Sequence, residues 1–514
     1  MTGWKSWKTY REDESWVEPL PKGGDLPWAL FYPASYEVGS ANLGMHHVYR
    51  ALRRSGVGVE RFFLGPQSPY RSVESDTLLE RFPIITAGIA YENDVWSLMA
   101  WLQGASIPLS WKERGQCRGA PLVGVGGSLT SINPLSLYAL CDFIVLGDGE
   151  VSLADVVARL RRGRGGREDQ WEALSELPHV LVPPLWGRRG GPSSGPGKAQ
   201  ALEPPNAASA WVTPRCTFGK TLLVELQRGC RRGCRFCTLP RCFTPLRRLP
   251  FPEALSLLEK AARGTSFEQV GLITPEAGDY PEIRGLLERL TALRKSVSFA
   301  SLRLDSLDAF MVDSLHRGGR TALTLAPEAG TEALRRSCGK PFTDELILQK
   351  ARLAAERGLR QAKLYFMLGL PGEEEEDVAG MASLTESLLQ ETRLSLVLSV
   401  NPFVPKPGTP WGEEAFLSAE VYERRTSFLR ESLLSRGRRR RISFRFASHR
   451  EAALEYALGW SSSEDSEETL DRFLAGERAP TPPRRDQARR ELERLGFFRS
   501  PHRENPADHG RCFP

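Results

Sequence analysis

Leu222-Leu-Val-Glu-Leu-Gln-Arg-Gly-Cys230-Arg-Arg-Gly-Cys234-Arg-Phe-Cys237 runs from an apolar strand directly into three cysteines spaced Cys-x3-Cys-x2-Cys. Cysteine thiolates are the standard ligands of iron–sulfur clusters. Three on one loop suit three irons of a [4Fe-4S] cluster and leave the fourth iron open to bind and reduce something. Arg228, Arg231, Arg232 and Arg235 surround them, and their charge is expected to favour thiolates and an anionic cluster. Other uses of these cysteines fit less well. A structural zinc site wants four ligands, usually as two separated pairs, and only Cys242 lies nearby. A disulfide leaves one of the three odd, and nothing marks the chain as secreted.

Outward from this loop the chain alternates strands and helices. Strands are expected at 222–226, 270–273, 297–302, 322–326, 362–368 and 396–400, with a first helix at 252–263. Upstream, 28–32, 84–89, 121–127 and 143–147 are continuous apolar runs, with helical stretches at about 41–55 and 94–103. Continuous apolar strands separated by helices imply α/β architecture with parallel sheets covered on both faces. Ligands of such sheets bind at the carboxyl ends of the strands. In the first block those ends are the loops 33–44, 126–133 and 147–150, rich in glycine and small polar residues.

The expected division is an arm at 1–24, a first α/β domain at 25–162, a Gly/Pro/Ser-rich linker at 163–215, a second α/β domain at 216–415, and a charged helical region at 416–514. A length of 514 residues suits two or three domains. Hydrophobic residues at 41% and charged residues at 26% are the profile of a globular protein. No apolar run approaches the roughly twenty residues of a membrane span, and the N-terminus is polar and aromatic, unlike a signal peptide. Nine cysteines, three in one cluster motif, point to a reducing cytoplasm. A net charge of +6 on this length gives no argument for nucleic acid as a partner.

Further segments carry chemistry. Ala322-Leu-Thr-Leu-Ala-Pro-Glu328-Ala-Gly-Thr ends a strand and opens a helix. Glu328 there suits either a ribose hydroxyl or the helix dipole. In Lys363-Leu-Tyr-Phe-Met-Leu-Gly369-Leu-Pro371-Gly-Glu373 the glycines let backbone approach a ligand. The acids 373–377 cap the next helix.

These blocks, with Ser301-Leu-Arg303-Leu-Asp305 and Asn401-Pro-Phe-Val-Pro-Lys406, resemble the radical S-adenosylmethionine proteins that carry an N-terminal cobalamin-binding domain. Tyr32-Pro-Ala-Ser-Tyr36-Glu-Val-Gly39, Asn42-Leu-Gly44, Asn133-Pro134 and Gly147-Asp-Gly-Glu150 fit that domain. The resemblance covers about residues 25–415 and implies a Rossmann-like domain, a partial (β/α)6 barrel and a small, mainly helical C-terminal region. It implies cofactor contacts at Phe236, Arg303, Glu328, Gly369 and Pro371 for S-adenosylmethionine. For cobalamin it implies Tyr36, Gly39, Asn42, Gly126, Gly127, Asn133, Gly147 and Glu150. The implied chemistry begins with reduction by a donor such as flavodoxin or ferredoxin, followed by C–S cleavage to a 5′-deoxyadenosyl radical. Methylation of an unactivated carbon is the family's usual outcome. No catalytic residue and no substrate follow from the sequence. One departure is plain: no Asp-x-His occurs anywhere, so any cobalamin is expected to lack a protein histidine on its lower face. His46 and His47 fall in a helix, with a surface or packing role.

Two other functions suit parts of the chain. Cys117, Cys141 and Cys216 would serve a methylthiotransferase with a second cluster, although lone cysteines are ordinarily small buried hydrophobes. The basic run 438–441 with Phe444 and Phe446 would grip RNA, but Ile-Ser-Phe-Arg-Phe also alternates as a half-buried strand does.

Overall fold

The computed structural model describes residues 6–65, 69–163, 165–186, 197–204, 206–299, 301–434, 439–479 and 482–497. Arg438 of the basic run and the glycine-rich stretch 188–196 lie outside them.

The N-terminal sheet has six strands: β1 (Pro27–Ser35), β2 (Gly58–Leu64), β3 (Ile84–Gly88), β4 (Leu122–Gly126), β5 (Phe143–Val145) and β6 (Val180–Leu181). Their order is β2-β1-β3-β4-β5-β6. The first five are parallel, and β6 pairs antiparallel with β5. Successive side chains in a strand point to opposite faces, and both faces are covered. Ala29, Phe31, Ile85, Ala87, Val123 and Val125 share one core. Trp28, Leu30, Ile84, Leu122, Phe143 and Val145 share the other. The order reverses between β1 and β3, the crevice where doubly wound sheets bind ligands.

The second domain is a barrel that stays open. Strands β7 (Thr221–Glu225), β8 (Gln269–Ile273) and β9 (Ser296–Phe299) form one parallel sheet. Strands β10 (Ala322–Glu328), β11 (Gln361–Leu368), β12 (Ser395–Pro402) and β13 (Ile442–Phe446) form another, ordered β10-β11-β12-β13. The six strands expected between 216 and 415 are all present. A seventh, β13, comes from the region read as helical and pairs in parallel with β12. Phe444 and Phe446 pack against the barrel core. Arg441 donates to the carbonyls of Thr392 and Leu389, so this stretch is built into the barrel rather than presented to a polymer.

Residues 163–215 do more than link. They carry the helix Arg167–Ser175, strand β6, and a short strand Trp211–Val212 paired with Ser15–Trp16 of the arm. Composition hides this because the packing residues, such as Trp171, Val180, Leu181 and Trp211, are scattered among glycine and proline. The helices His449–Gly459, Ser463–Leu474 and Arg485–Arg494 pack back on the N-terminal sheet through Leu454, Leu458, Leu470 and Leu492. Among the described residues, no helix is long and apolar enough to cross a membrane.

Candidate functional site

Strand β7 delivers the chain to the cysteine loop, which is pinched at its base by a two-residue antiparallel ladder. Gln227 pairs with Arg248 and Arg228 with Arg247. Gly229 has φ +91°, and a Cβ there would collide with the Phe243 carbonyl, so the ladder closes only on glycine. Cys230, Cys234 and Cys237 are half-buried on the loop. The Arg232 N–H points at Cys230 Sγ at 3.4 Å. Loops from two other strands brace it: Arg235 N–H donates to the Cys338 carbonyl at 3.1 Å, and Trp411 N–H to the Arg235 carbonyl at 3.1 Å.

The donor set, three thiols on one loop, suits a cluster, in which each thiolate takes a different iron. All the described cysteines are free. Cys242, the nearby cysteine in sequence, is buried beside Arg241 and Lys198, and burial pushes its thiol up to about 11.

The arginines act differently from the sequence expectation. Arg228 turns away from the cysteines to Glu225 and Glu150. Arg232 bonds Asp279 at 2.6 Å, and Arg231 and Arg235 are exposed. The Arg303 guanidinium lies 3.8 Å from Cys234 Sγ. Burial, more than these charges, sets the free thiols: Cys230 and Cys237 are both raised above the usual range.

The strand ends of the barrel converge on this loop. Glu328 closes β10 with φ +71°, a left-handed conformation costly for a side-chain-bearing residue. Burial raises its carboxyl while its ion pair with Lys340 opposes the rise. Lys340 also lies 5.8 Å over the Phe236 ring. Phe236 joins Ala329, Leu334, Cys338, Leu370, Phe403 and Trp411 in an apolar cluster beside the loop. Gly369, at φ +90°, follows β11, and its N–H donates to Glu373 Oε2 at 2.6 Å. Pro371 is half-buried in the same turn. Phe236, Arg303, Glu328, Gly369 and Pro371 are thus gathered at one end of the barrel.

Sequence reading missed Glu276, Lys340 and Cys338. Glu276 follows β8 and is 1% exposed. Its Oε1 accepts from Gly278 N–H at 2.8 Å and Ser306 Oγ at 2.6 Å, while Oε2 is buried with no partner. A carboxylate oxygen left over this way suits a ligand donor such as an ammonium group. The signal was present in Ile273-Thr-Pro-Glu-Ala-Gly-Asp279, an acid just past a barrel strand.

The residues assigned to cobalamin are not gathered in the same way. Tyr36 is buried with Trp7, Tyr10 and Phe63 and donates to Glu14 at 2.6 Å. A Cβ on Gly39 would strike Phe63. Asn42 caps the helix Leu43–Arg54 by accepting from Met45 N–H. Asn133 is fully buried and donates to the carbonyls of Gly459 and Ser461 at 3.1 and 2.8 Å. Gly147 abuts Gly197, and Glu150 accepts from Arg228 at 2.6 Å. Gly127 is close against Ile89. Room remains at Gly88, where a Cβ would meet nothing within 4 Å, and at Gly126, where it would meet only Val145, at 3.8 Å. His46 and His47 are both buried, not on the surface. His46 accepts from Ala210 N–H, and His47 faces Arg228.

Two family models match the chain, together over more than half of it. Residues 44–183 match the model of radical SAM proteins, N-terminal, and residues 224–385 that of the radical SAM superfamily. The chain belongs to the radical S-adenosylmethionine superfamily. The second of these models covers the cysteine loop and the barrel through β11, and ends before β12. An uncharacterised protein of Methanocaldococcus jannaschii is 27% identical over 391 residues, 76% of this chain and 79% of that one. A tRNA-2-methylthio-N(6)-dimethylallyladenosine synthase of Opitutus terrae is 27% identical over 239 residues, 43% of this chain and 48% of the synthase. Among solved structures, the radical S-adenosylmethionine methyltransferase TsrM of Kitasatospora setae aligns with a TM-score of 0.51 at 15% identity. That alignment covers 78% of this chain and 76% of TsrM. The cobalamin-dependent radical enzyme OxsB with aqua-cobalamin bound aligns at 0.50 and 15% identity, over 73% of this chain and 53% of OxsB. These two establish a shared fold across both domains of this superfamily member.

Proposed function

We propose that this radical S-adenosylmethionine enzyme is cobalamin-dependent and methylates, or otherwise transforms, an unactivated carbon. The observation that carries the reading is the cysteine loop set against the strand ends of an open barrel, behind a Rossmann-like domain. Bound cofactors would supply an electron that cleaves a C–S bond, and a methyl group for carbon. The chain's own residues would do the rest. Cys230, Cys234 and Cys237 hold three irons. Glu276 Oε2, Glu328 and the Gly369–Pro371 turn line the place where S-adenosylmethionine meets the loop. The apolar cluster around Phe236, Leu370 and Trp411 excludes water. Gly88 and Gly126, at the carboxyl ends of β3 and β4, are the backbone positions that would face a corrinoid. OxsB, of the same fold, is described with aqua-cobalamin bound, which supports that assignment. Arg231, Arg235 and Arg336 are exposed beside the loop and have no ion pair among the described residues. They suit an acidic electron donor such as flavodoxin or ferredoxin.

The test is anaerobic reconstitution with iron, sulfide and hydroxocobalamin, followed by metal counts after desalting. About four irons and one cobalt per chain are expected; four irons without cobalt would remove the cobalamin part and keep the radical enzyme. Similarity to the Opitutus terrae tRNA-2-methylthio-N(6)-dimethylallyladenosine synthase favours methylthiolation as a second reading. However, Cys117 is exposed while Cys141 and Cys216 are buried, and about eight irons would be needed to favour that reading.

A further inference from the structure

Gly147-Asp148-Gly149-Glu150 looked like a cofactor loop, yet its acids face the cysteine loop instead. Asp148 is 6% exposed, at the carboxyl end of β5. Its Oδ1 lies 3.2 Å from Arg228 Nη1. Its Oδ2 accepts from Arg247 Nη1 and, at 2.9 Å, from Ala199 N–H. Arg228 and Arg247 are the two residues paired across the ladder that closes the cysteine loop. One carboxylate of the N-terminal domain therefore holds both strands of the loop's base.

Each arginine extends the grip. Arg247 donates to the carbonyls of Pro245 at 3.0 Å and Phe243 at 3.3 Å, inside the loop. Arg228 donates to Glu225 at 2.7 and 2.8 Å and to Glu150 at 2.6 Å. Lys198 lies within electrostatic reach of Asp148 and both arginines. The buried group thus sets Arg228, Arg247 and Lys198 against Asp148, Glu150 and Glu225. Charges in such low-dielectric surroundings are poorly screened and act at longer range than on a surface. Arg228 stands two residues before Cys230.

We infer that Asp148 is a positioning residue for the cluster: it fixes the base of the cysteine loop to the N-terminal domain and balances the two arginines so that their charge does not bias the cluster toward reduction. This rests on the three cysteines holding a cluster, as proposed above. Removing one negative charge leaves the group with a net positive charge, which stabilises the reduced, more anionic cluster.

The experiment uses the full chain reconstituted with iron and sulfide, comparing wild type, Asp148→Asn, Asp148→Glu and the double variant Asp148→Asn/Arg247→Gln. Iron content, the midpoint potential from a dye-mediated EPR titration, and the thermal melt are read for each. Asp148→Asn is expected to move the potential to a more positive value and to broaden the signal of the reduced cluster. Asp148→Glu, which keeps the charge, and the double variant, which restores the balance, should both lie near wild type. An Asp148→Asn potential equal to wild type overturns the inference. So does a shift of equal size in Asp148→Glu, or loss of a cooperative melt in every variant, which would make Asp148 a general folding residue. A wild type that takes up no iron would instead remove the cluster reading itself.

Discussion

Cys234 and Cys338 sit on facing loops, yet their surroundings give them different roles. Cys338 is fully buried, and burial with the nearby Glu328 pushes its thiol up to about 12. It stays a protonated, apolar filler. Cys234 is half-buried in the loop and faces Arg303. Cys234→Ala should therefore lose most of the iron that wild type retains after reconstitution. Cys338→Ala should keep about four irons and lose about 1 kcal/mol of stability. Equal iron loss in both variants would contradict this assignment. Glu373 gives a second residue-scale prediction. Burial lifts its carboxyl from 4.5 to about 7, against the Gly369 N–H and Arg425, which lower it. Its folded-state value lies above the unfolded one, so the folded chain favours the protonated form. The associated stability is full below pH 4.5 and is lost as pH rises through about 7. That term amounts to at most about 3 kcal/mol. Glu373→Gln should flatten the melting temperature between pH 5 and 8, and an unchanged slope would assign the effect elsewhere. The cysteines were legible because one loop carries all three at fixed spacing. Glu276 and Lys340 were not, because their partners lie 30 and 12 residues away in sequence.

At the scale of elements, the strands that follow one another between helices were legible, and β13, set among charged residues, was only half so. Ile442-Ser-Phe-Arg-Phe446 has a period of two, which suits a strand with one wet face. Nothing local says that its partner is β12, some forty residues earlier, because parallel pairing is set by tertiary packing. The structure supplies the reason: Leu396, Leu398 and Val400 of β12 are buried, and Ile442 sits in the same core. A chain ending at residue 440 would lose that strand and leave the outer edge of β12 without a parallel neighbour. It is expected to aggregate or to melt without cooperativity, as calorimetry would read. A sharp melt near that of the full chain would make β13 dispensable. The helix Ala419–Leu434 would still be present in such a chain, so the comparison isolates the contribution of β13 and the helices after it.

Over the whole molecule, the joints between domains take residues that the sequence offered to a cofactor. A glycine-rich or amide-bearing loop at a strand end looks the same whether it meets a ligand or another part of the chain, which is why Asn133 was misleading. Its amide ties the C-terminal helices to the N-terminal sheet, and its Oδ1 accepts from Leu135 N–H at 2.9 Å. Lys406 makes a second tie. It bridges Glu92 of the first domain at 2.5 Å and Glu455 of the C-terminal helices at 2.7 Å. Breaking a buried, hydrogen-bonded contact strands its partners at about 1–3 kcal/mol each. Asn133→Ala should thus cost about 3 kcal/mol, and the loss should be local before it is global. Hydrogen exchange is the measurement: amides at 449–474 should lose protection well before those of β11 and β12. If protection fell equally across the chain, the joint would be part of a single cooperative unit, and the C-terminal helices would fold with the barrel rather than dock on the sheet.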